Sequence, residues 1–259
     1  MEILVIAYIG LIGLLIGSFL NVVIYRLPHS ETIIHGRSHC PVCRHTLNAL
    51  DLVPVFSFLF LGRRCRYCKA PISWRYMIIE LITSIFFVSA AIAYPPLDGL
   101  VSLVMMAASC ALFSILLADS MIQYDGHPTQ SKTMTPIALV LAFVPLLTGL
   151  LLDMPEFIRL VDRAAGLSAG LLVFLLPLVI IPMRRQRLCS NIPLAIGLPV
   201  AGLFLGFHAS LPVLAAGIIL SLALIAWPSQ KQESQASVWL CRLLPLLVLL
   251  AFTVTNLFD

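Results

Sequence analysis

Residues 40–68 read CPVCRHTLNALDLVPVFSFLFLGRRCRYC, the one long polar stretch in an otherwise apolar chain. The stretch opens with one C-x-x-C pair and closes with a second, and 21 residues separate the two pairs. Four thiolates at this spacing are typical of a structural zinc site, because they fill all four tetrahedral positions of the ion and leave none for water. The predicted ligands are Cys40, Cys43, Cys65 and Cys68.

The same residues allow two alternatives to a zinc site: unligated thiols in a basic loop, and disulfides. The chain has seven cysteines, and Cys110, Cys189 and Cys241 stand singly. An odd count with isolated members is atypical of a disulfide framework, and a reducing cytoplasmic loop favours metal binding. His39 and His45 flank the first pair, and we expect them not to be ligands because four cysteines already complete the site.

The composition indicates a membrane protein with several helices. The 259 residues are 60% hydrophobic and 11% charged, whereas soluble domains carry about 25% charged residues; the mean hydropathy is +1.03. Apolar runs long enough to cross a bilayer recur along the chain. We therefore expect an all-α polytopic membrane protein with about eight transmembrane helices. No basic surface interleaved with aromatic residues is visible in the sequence, so nucleic-acid binding is not expected.

Apolar runs and basic loops together predict the topology. The first span, residues 3–25, is expected to be a retained helix, because no basic segment or cleavage site accompanies it. The loop at residues 26–75 holds eight of the sixteen Lys and Arg residues, which places it in the cytoplasm and the N-terminus outside. Seven further spans are predicted near residues 76–94, 97–118, 134–152, 164–183, 192–207, 211–227 and 238–257.

This topology divides the chain into two predicted domains. Residues 1–75 comprise the first helix and the zinc-binding loop, and residues 76–259 form a seven-helix membrane domain. Within the loop, residues 52–61 are apolar but too few to span a membrane, so we expect them to pack against the membrane face or the zinc module.

Glu80 lies early in the second predicted span. A carboxylate inside a membrane helix is costly and indicates a functional residue by default. The alternative is that Glu80 lies near the interface and pairs with Arg75 or another base of the loop.

Asp119 follows the apolar run of the third predicted span, on the cytoplasmic side. An aspartate there suits a membrane aspartyl protease, in which two carboxylates share a proton and activate a water molecule; the alternative is an ordinary helix-terminal acid. Asp125 is only six residues away, too close in sequence to face Asp119 across a site between helices. Residues 188–193, where a partner could come from, read LCSNIP and contain no carboxylate.

These motifs together resemble the type IV prepilin leader peptidases, the membrane aspartyl proteases of type IV pilus and type II secretion systems. Residues 17–28, GSFLNVVIYRLP, are similar to the family's G-S-F-L-N-V-V-x-x-R-L-P. The C-x-x-C pairs stand at the family's spacing. Residues 75–81, RYMIIEL, resemble its R-Y-P-x-x-E-L, with Met77 where a proline is usual. Eight spans is also the family's architecture.

The resemblance implies two activities at the cytoplasmic side of the inner membrane. Family members cleave the leaders of prepilins and pseudopilins after a glycine, and then methylate the new N-terminal amine with S-adenosylmethionine. The zinc loop is linked to substrate handling and methylation, so the resemblance assigns Asn21, Arg26 and Glu80 to a substrate or methyl-transfer region. Asp119 matches the first catalytic aspartate by its position. The implied cofactors are structural zinc and S-adenosylmethionine, and the implied partners are prepilins or pseudopilins and membrane lipids.

The second half of the chain departs from the family pattern. The family's second aspartate lies in a G-x-G-D-x-K-L motif before the sixth span, and the matching residues 188–194 read LCSNIPL, with Asn191 at the aspartate position. An amide cannot share a proton in this way. Three functions stay open: a working peptidase and N-methyltransferase, a protease-deficient paralogue that retains prepilin binding or methyl transfer, and a non-catalytic secretion scaffold. The residue chemistry favours the protease-deficient paralogue over the working peptidase.

Overall fold

The structure is a computed structural model that describes residues 2–125. Four α-helices follow one another in this part of the chain: α1 (Glu2–Arg26), α2 (Phe56–Phe60), α3 (Trp74–Ala93) and α4 (Leu100–Tyr124). A 3₁₀ turn at Ala49–Leu52 precedes α2. The fourth to eighth predicted spans lie outside the described residues.

Three helices are long and apolar enough to cross a membrane: α1, α3 and the Leu100–Ile122 part of α4. They overlap the first three predicted spans, as expected of a helical membrane protein. The start of α3 is set by Ser73, whose hydroxyl accepts a hydrogen bond from the Arg75 N–H at 3.3 Å. Such an N-cap satisfies an amide that the first helical turn leaves without a partner.

The chain forms two compact units, Met1–Gly99 and Leu100–Asp259. In the first unit, α1 packs along α3 at very short range. A Cβ atom on Gly17 would stand 2.6 Å from the Cα atom of Glu80, so only a glycine allows this approach. The sequence of α1 therefore sets how closely the Glu80 backbone lies to it.

Polar contacts fix the register of the same helix pair. The Ser84 hydroxyl donates a hydrogen bond to the Gly10 carbonyl at 2.8 Å. Towards the other end, Asn21 Nδ2 donates to the Tyr76 carbonyl at 3.1 Å. Asn21 is buried, and its bond joins α1 to the first turn of α3.

In the second unit, α4 continues past the predicted end of the third span. The prediction ended that span at residue 118, whereas the helix runs to Tyr124 and Asp119 lies within it. The Ser120 hydroxyl donates to the Leu116 carbonyl at 2.7 Å, a bond made within the helix. Residues 120–124 contain no glycine or proline, so no residue there stops the helix.

Candidate metal centre and adjoining cavity

Each C-x-x-C pair forms its own hairpin, and the two hairpins have the same backbone hydrogen bonds. They lie 25 residues apart in sequence. In each hairpin, the first cysteine donates a backbone hydrogen bond to the residue five positions on and accepts one from the residue four positions on. The bonds are Cys40 N–H to His45 O, Arg44 N–H to Cys40 O, Cys65 N–H to Ala70 O and Lys69 N–H to Cys65 O, all at 2.9–3.0 Å. Arg44 and Lys69 have the same positive φ, 59° and 60°. Residues 38–72, which contain both hairpins, are called the cysteine module below.

The two hairpins bring four sulfur atoms into one cluster. The Sγ atoms of Cys40, Cys43, Cys65 and Cys68 all lie within 4.8 Å of one another, and those of Cys40 and Cys68 are 3.8 Å apart. Four sulfurs bound tetrahedrally at about 2.3 Å from a zinc ion stand about 3.8 Å from each other. The cluster could therefore hold one metal ion, and its geometry is close to that of a tetrahedral zinc site.

The four thiols differ in how easily they ionise. The backbone N–H groups of Cys68 and Tyr67 stabilise the Cys65 thiolate and lower the pKa of Cys65 to about 7, although burial opposes this. The backbone at Ala70 also favours the Cys68 thiolate, but desolvation and the neighbouring cysteines outweigh it and raise the pKa of Cys68 to about 11. Thiols this close repel one another once ionised, and a divalent cation removes that repulsion.

The two middle residues of the second C-x-x-C pair tie it to the segment that follows the first. Arg66 Nε donates to Asp51 Oδ1 at 2.6 Å, and the buried Asp51 carboxylate also accepts the Asn48 N–H at 3.2 Å. The Tyr67 ring packs on His45 with ring centroids 3.6 Å apart, and its hydroxyl accepts a hydrogen bond from Asn48 Nδ2 at 3.1 Å. The sequence motifs gave no sign of this clamp.

Arg26, predicted for the substrate or methyl-transfer region, organises the loop between α1 and the cysteine module. Its buried guanidinium donates hydrogen bonds of 3.0–3.5 Å to four backbone carbonyls, those of Thr32, His35, Gly36 and Arg37. The Glu31 carboxylate lies 4.0 Å from its Nε atom. These bonds use most of the donors of Arg26, so its visible role is to fix the chain that enters the first hairpin.

A cavity of about 410 Å³ lies where α1 and α3 meet the cysteine module. Its wall includes the three residues predicted for the substrate or methyl-transfer region, Asn21, Arg26 and Glu80, and two of the cysteines, Cys40 and Cys65. Small-molecule sites in proteins typically measure about 300–1,000 Å³. The structure thus brings these predicted residues and the sulfur cluster to one cavity.

Glu80 is buried in the wall of this cavity. Its Oε2 atom accepts a hydrogen bond of 2.7 Å from the Val55 backbone N–H, and the Ser18 hydroxyl interacts with the same carboxylate. The loop segment before α2 thus supplies a backbone amide to this carboxylate. The alternative that Glu80 pairs with Arg75 or another base of the loop stays a prediction. Glu80 therefore links α3 to the apolar part of the cysteine module.

Asp119 is 8% exposed and lies in α4, in the second unit of the chain. Asp125 directly follows α4, and its N–H donates to the Met121 carbonyl at 3.1 Å, so the backbone keeps its helical course to this point. Six residues of helix separate two side chains by about 9 Å along the axis and a third of a turn around it. This spacing does not bring the Asp119 and Asp125 carboxylates together, and Asn191 lies outside the described residues.

Comparison with known proteins finds relatives with closely similar names. Residues 11–94 match the bacterial peptidase A24 N-terminal domain. A prepilin leader peptidase/N-methyltransferase of Aeromonas hydrophila is 36% identical over 189 residues, which cover 63% of this chain and 60% of the relative. One of Myxococcus xanthus is 46% identical over 80 residues, covering 31% and 24% of the two chains. A type 4 prepilin-like proteins leader peptide-processing enzyme of Escherichia coli is 37% identical over 133 residues, covering 44% and 49%.

These matches span at most about 60% of the length of the three relatives named. No solved structure matches the chain. The matched domain runs from the first half of α1 to the end of α3, so it contains both hairpins, the sulfur cluster and the cavity. Through this domain, the chain is similar to the prepilin leader peptidases/N-methyltransferases.

Proposed function

We propose that this chain processes the N-termini of prepilins or pseudopilins at the cytoplasmic face of the inner membrane, as a leader peptidase and N-methyltransferase. The observation that carries the proposal is the cavity that the ends of two membrane helices share with the four-cysteine cluster. A cavity at the junction of apolar helices and a polar module suits a substrate that stays anchored in the bilayer while its N-terminus lies in water.

Zinc is the proposed ion of the cysteine cluster, with Cys40, Cys43, Cys65 and Cys68 as its ligands. A module as small as residues 38–72 cannot build a core of its own, so metal binding would supply much of its folding free energy. Because Cys40 and Cys65 also line the cavity, the same ion would hold the cavity wall in place. The site is structural, since four thiolates leave no open position for a reacting group.

S-adenosylmethionine would supply the methyl group as an electrophile when it is bound. Glu80 is the residue suited to hold the N-terminal amine that accepts the methyl group. A buried carboxylate attracts this amine and can take up the proton that it loses. Asn21 and Arg26 act through the backbone: the first joins α1 to α3, and the second holds the loop before the first hairpin. The cationic sulfonium and ammonium groups of S-adenosylmethionine also fit a cavity with a carboxylate in its wall.

The proposed orientation places the N-terminus outside and the cysteine module in the cytoplasm. It is supported by the eight basic residues between 26 and 75. The reducing cytoplasm would keep the cysteines available as metal ligands.

A methyl-transfer assay tests the proposal. The full chain, reconstituted in lipid vesicles, is given a prepilin together with S-adenosylmethionine labelled in its methyl group. We expect label at the new pilin N-terminus, loss of that label in Cys40→Ser, and retention in the matched control Cys110→Ser, whose cysteine lies in α4 outside the cluster. Absence of labelling by a metal-loaded wild-type chain, even on a pilin cleaved beforehand, would refute methyl transfer.

A second candidate function is a protease-deficient paralogue that methylates pilins or binds them. It is favoured by Asn191 at the position of the family's second aspartate and by the separation of Asp119 from Asp125. Under this candidate, the wild-type chain leaves prepilin uncut, pre-cleaved pilin is still methylated, and Asn191→Asp increases cleavage. Efficient wild-type cleavage that Asp119→Asn abolishes would exclude it.

A further inference from the structure

The segment between the two hairpins carries a row of exposed apolar side chains. Phe60 is 86% exposed, Leu59 60% and Phe56 53%, and the neighbouring Leu52 and Val53 are exposed as well. These five residues are called the apolar ridge below. Large apolar side chains that are exposed together indicate an interaction surface rather than chance exposure.

The ridge is attached to the start of a membrane helix. The ring of Phe58, which is buried on the other side of α2, packs against Trp74 with centroids 5.1 Å apart. Trp74 is the first residue of α3, whose 20 residues span about 30 Å, the thickness of a bilayer's hydrocarbon core. A tryptophan at this position belongs to the membrane–water interface, so α2 lies at the same depth.

A hydrogen-bonded turn sets which side of α2 faces outward. Val55 has φ +62°, and the Phe56 N–H donates to the Pro54 carbonyl at 2.6 Å, which makes a γ-turn centred on a β-branched residue. This conformation is strained, so it persists only where other contacts hold it. The bond from the Val55 N–H to Glu80 is such a contact, and it turns Phe58 inward and the ridge outward.

Basic side chains follow the ridge directly. The Arg63 guanidinium lies over the Trp74 ring, 4.4 Å from its centroid, and the exposed Arg64 is next in sequence. Aromatic and aliphatic side chains beside arginines are the composition of elements that lie in the interface of an anionic leaflet.

We propose that the apolar ridge inserts into the lipid leaflet that borders the cysteine module, and that it anchors the module to the membrane surface. The occupant of the ridge is lipid rather than a protein partner, because Phe58 and Arg63 hold the ridge segment against Trp74, at the interfacial end of a membrane helix. This inference does not depend on the proposed processing of prepilins. It implies that the cavity opens close to the bilayer surface.

Photocrosslinking tests the proposal on the full chain. The photoreactive residue p-benzoylphenylalanine replaces Phe60 in one variant and Val42 in another; Val42 is 69% exposed, lies at the tip of the first hairpin and is not part of the apolar ridge. Both proteins are reconstituted in vesicles of phosphatidylethanolamine and phosphatidylglycerol, irradiated and analysed by mass spectrometry. We expect lipid adducts at position 60 at a yield at least tenfold above position 42.

Three results would overturn the proposal: equal lipid yields at the two positions, no lipid adduct at position 60, or adducts at position 60 that join it to protein. The exchange at Phe60 keeps an aromatic ring on an exposed site, so the variant should fold. Metal content equal to wild type checks this before irradiation. A second pair of variants, Phe60→Glu and Val42→Glu, extends the test: only the first should release the module from the membrane, seen as faster backbone hydrogen exchange in residues 52–61.

Discussion

Replacing Gly17 by alanine tests the helix contact on which the cavity depends. The new Cβ atom would lie 2.6 Å from the Cα atom of Glu80, about 0.8 Å inside the shortest ordinary contact. The obstructing atoms belong to backbone, so a side-chain rotation cannot relieve the clash, and α1 must move away from α3. Overpacking of this kind costs about 1–3 kcal/mol of unfolding free energy.

The displacement should also reach the site. Asn21 of α1 donates to the Tyr76 carbonyl of α3 at 3.1 Å, and the Ser18 hydroxyl of α1 interacts with the Glu80 carboxylate. A shift of about 0.8 Å lengthens the first bond beyond the usual range of about 2.7–3.2 Å. We therefore expect Gly17→Ala to lower methyl transfer at least tenfold, in addition to its effect on stability.

The matched control is Gly10→Ala on the same face of α1. Its Cβ atom would meet a methyl group of Val88 at 3.0 Å, and this side chain can adjust. Unfolding followed by helical circular dichroism in mixed detergent micelles should show a loss below about 1 kcal/mol for Gly10→Ala. Equal stability and equal methyl transfer in the two variants would refute the close α1–α3 contact as the basis of the site.

Further predictions concern the residues around the cavity and the cluster. Glu80→Gln retains an oxygen for the Val55 amide, so stability should change by less than about 1 kcal/mol. Methyl transfer should fall by about 10²-fold or more, because the variant lacks a proton acceptor. An unchanged rate of methyl transfer would exclude that role of Glu80. Asp51→Asn leaves Arg66 without its ion-pair partner and should lower the free energy of unfolding by about 1–2 kcal/mol. The loss is smaller than for a fully buried pair because Arg66 is half exposed. An unchanged melting temperature of the metal-loaded protein would count against the clamp. Because the pKa of Cys68 is raised to about 11 and that of Cys65 is lowered to about 7, protons compete with the metal throughout this range. Zinc affinity measured with a chelating dye should therefore fall as the pH drops, and more steeply below 7; a pH-independent affinity would contradict thiolate ligation.

The sequence predicted those parts of the fold that local chemistry determines. Hydropathy located α1, α3 and α4, because a helix that crosses a bilayer needs about 20 apolar residues in a row. The spacing of the cysteines predicted the ligand set of the cluster, because each C-x-x-C pair forms its own hairpin. The zinc ion and the spans beyond residue 125 stay predictions.

Contacts between distant residues could not be predicted in the same way. The bond from Val55 to Glu80 joins residues 25 apart, and the close contact of Gly17 with the Glu80 backbone joins two different helices. The repeated hairpin was also missed, because the similarity of the two hairpins lies in their backbone hydrogen bonds. In sequence, residues 40–45 and 65–70 share only their two cysteines. Arg26 shows the same limit: its motif suggested a site residue, whereas its four carbonyl partners come from the fold of the following loop.

The predicted end of the third span lies before the observed end of α4, because no residue there stops the helix. The apolar run ends before Asp119, and that change of polarity suggested the end of the helix. Backbone hydrogen bonding continues to Asp125 instead, because residues 120–124 are compatible with a helix. A polarity change marks where a helix leaves the membrane more reliably than where it ends.

We propose that the four cysteines close on one zinc ion, which holds the wall of the cavity in place. X-ray absorption at the zinc edge, recorded on the purified full chain in detergent, tests it most directly. The account predicts one zinc per chain with four sulfur neighbours at about 2.3 Å, and loss of that signal in Cys40→Ser. A wild-type protein that folds and methylates without zinc, or that holds zinc through nitrogen and oxygen neighbours, would contradict the claim.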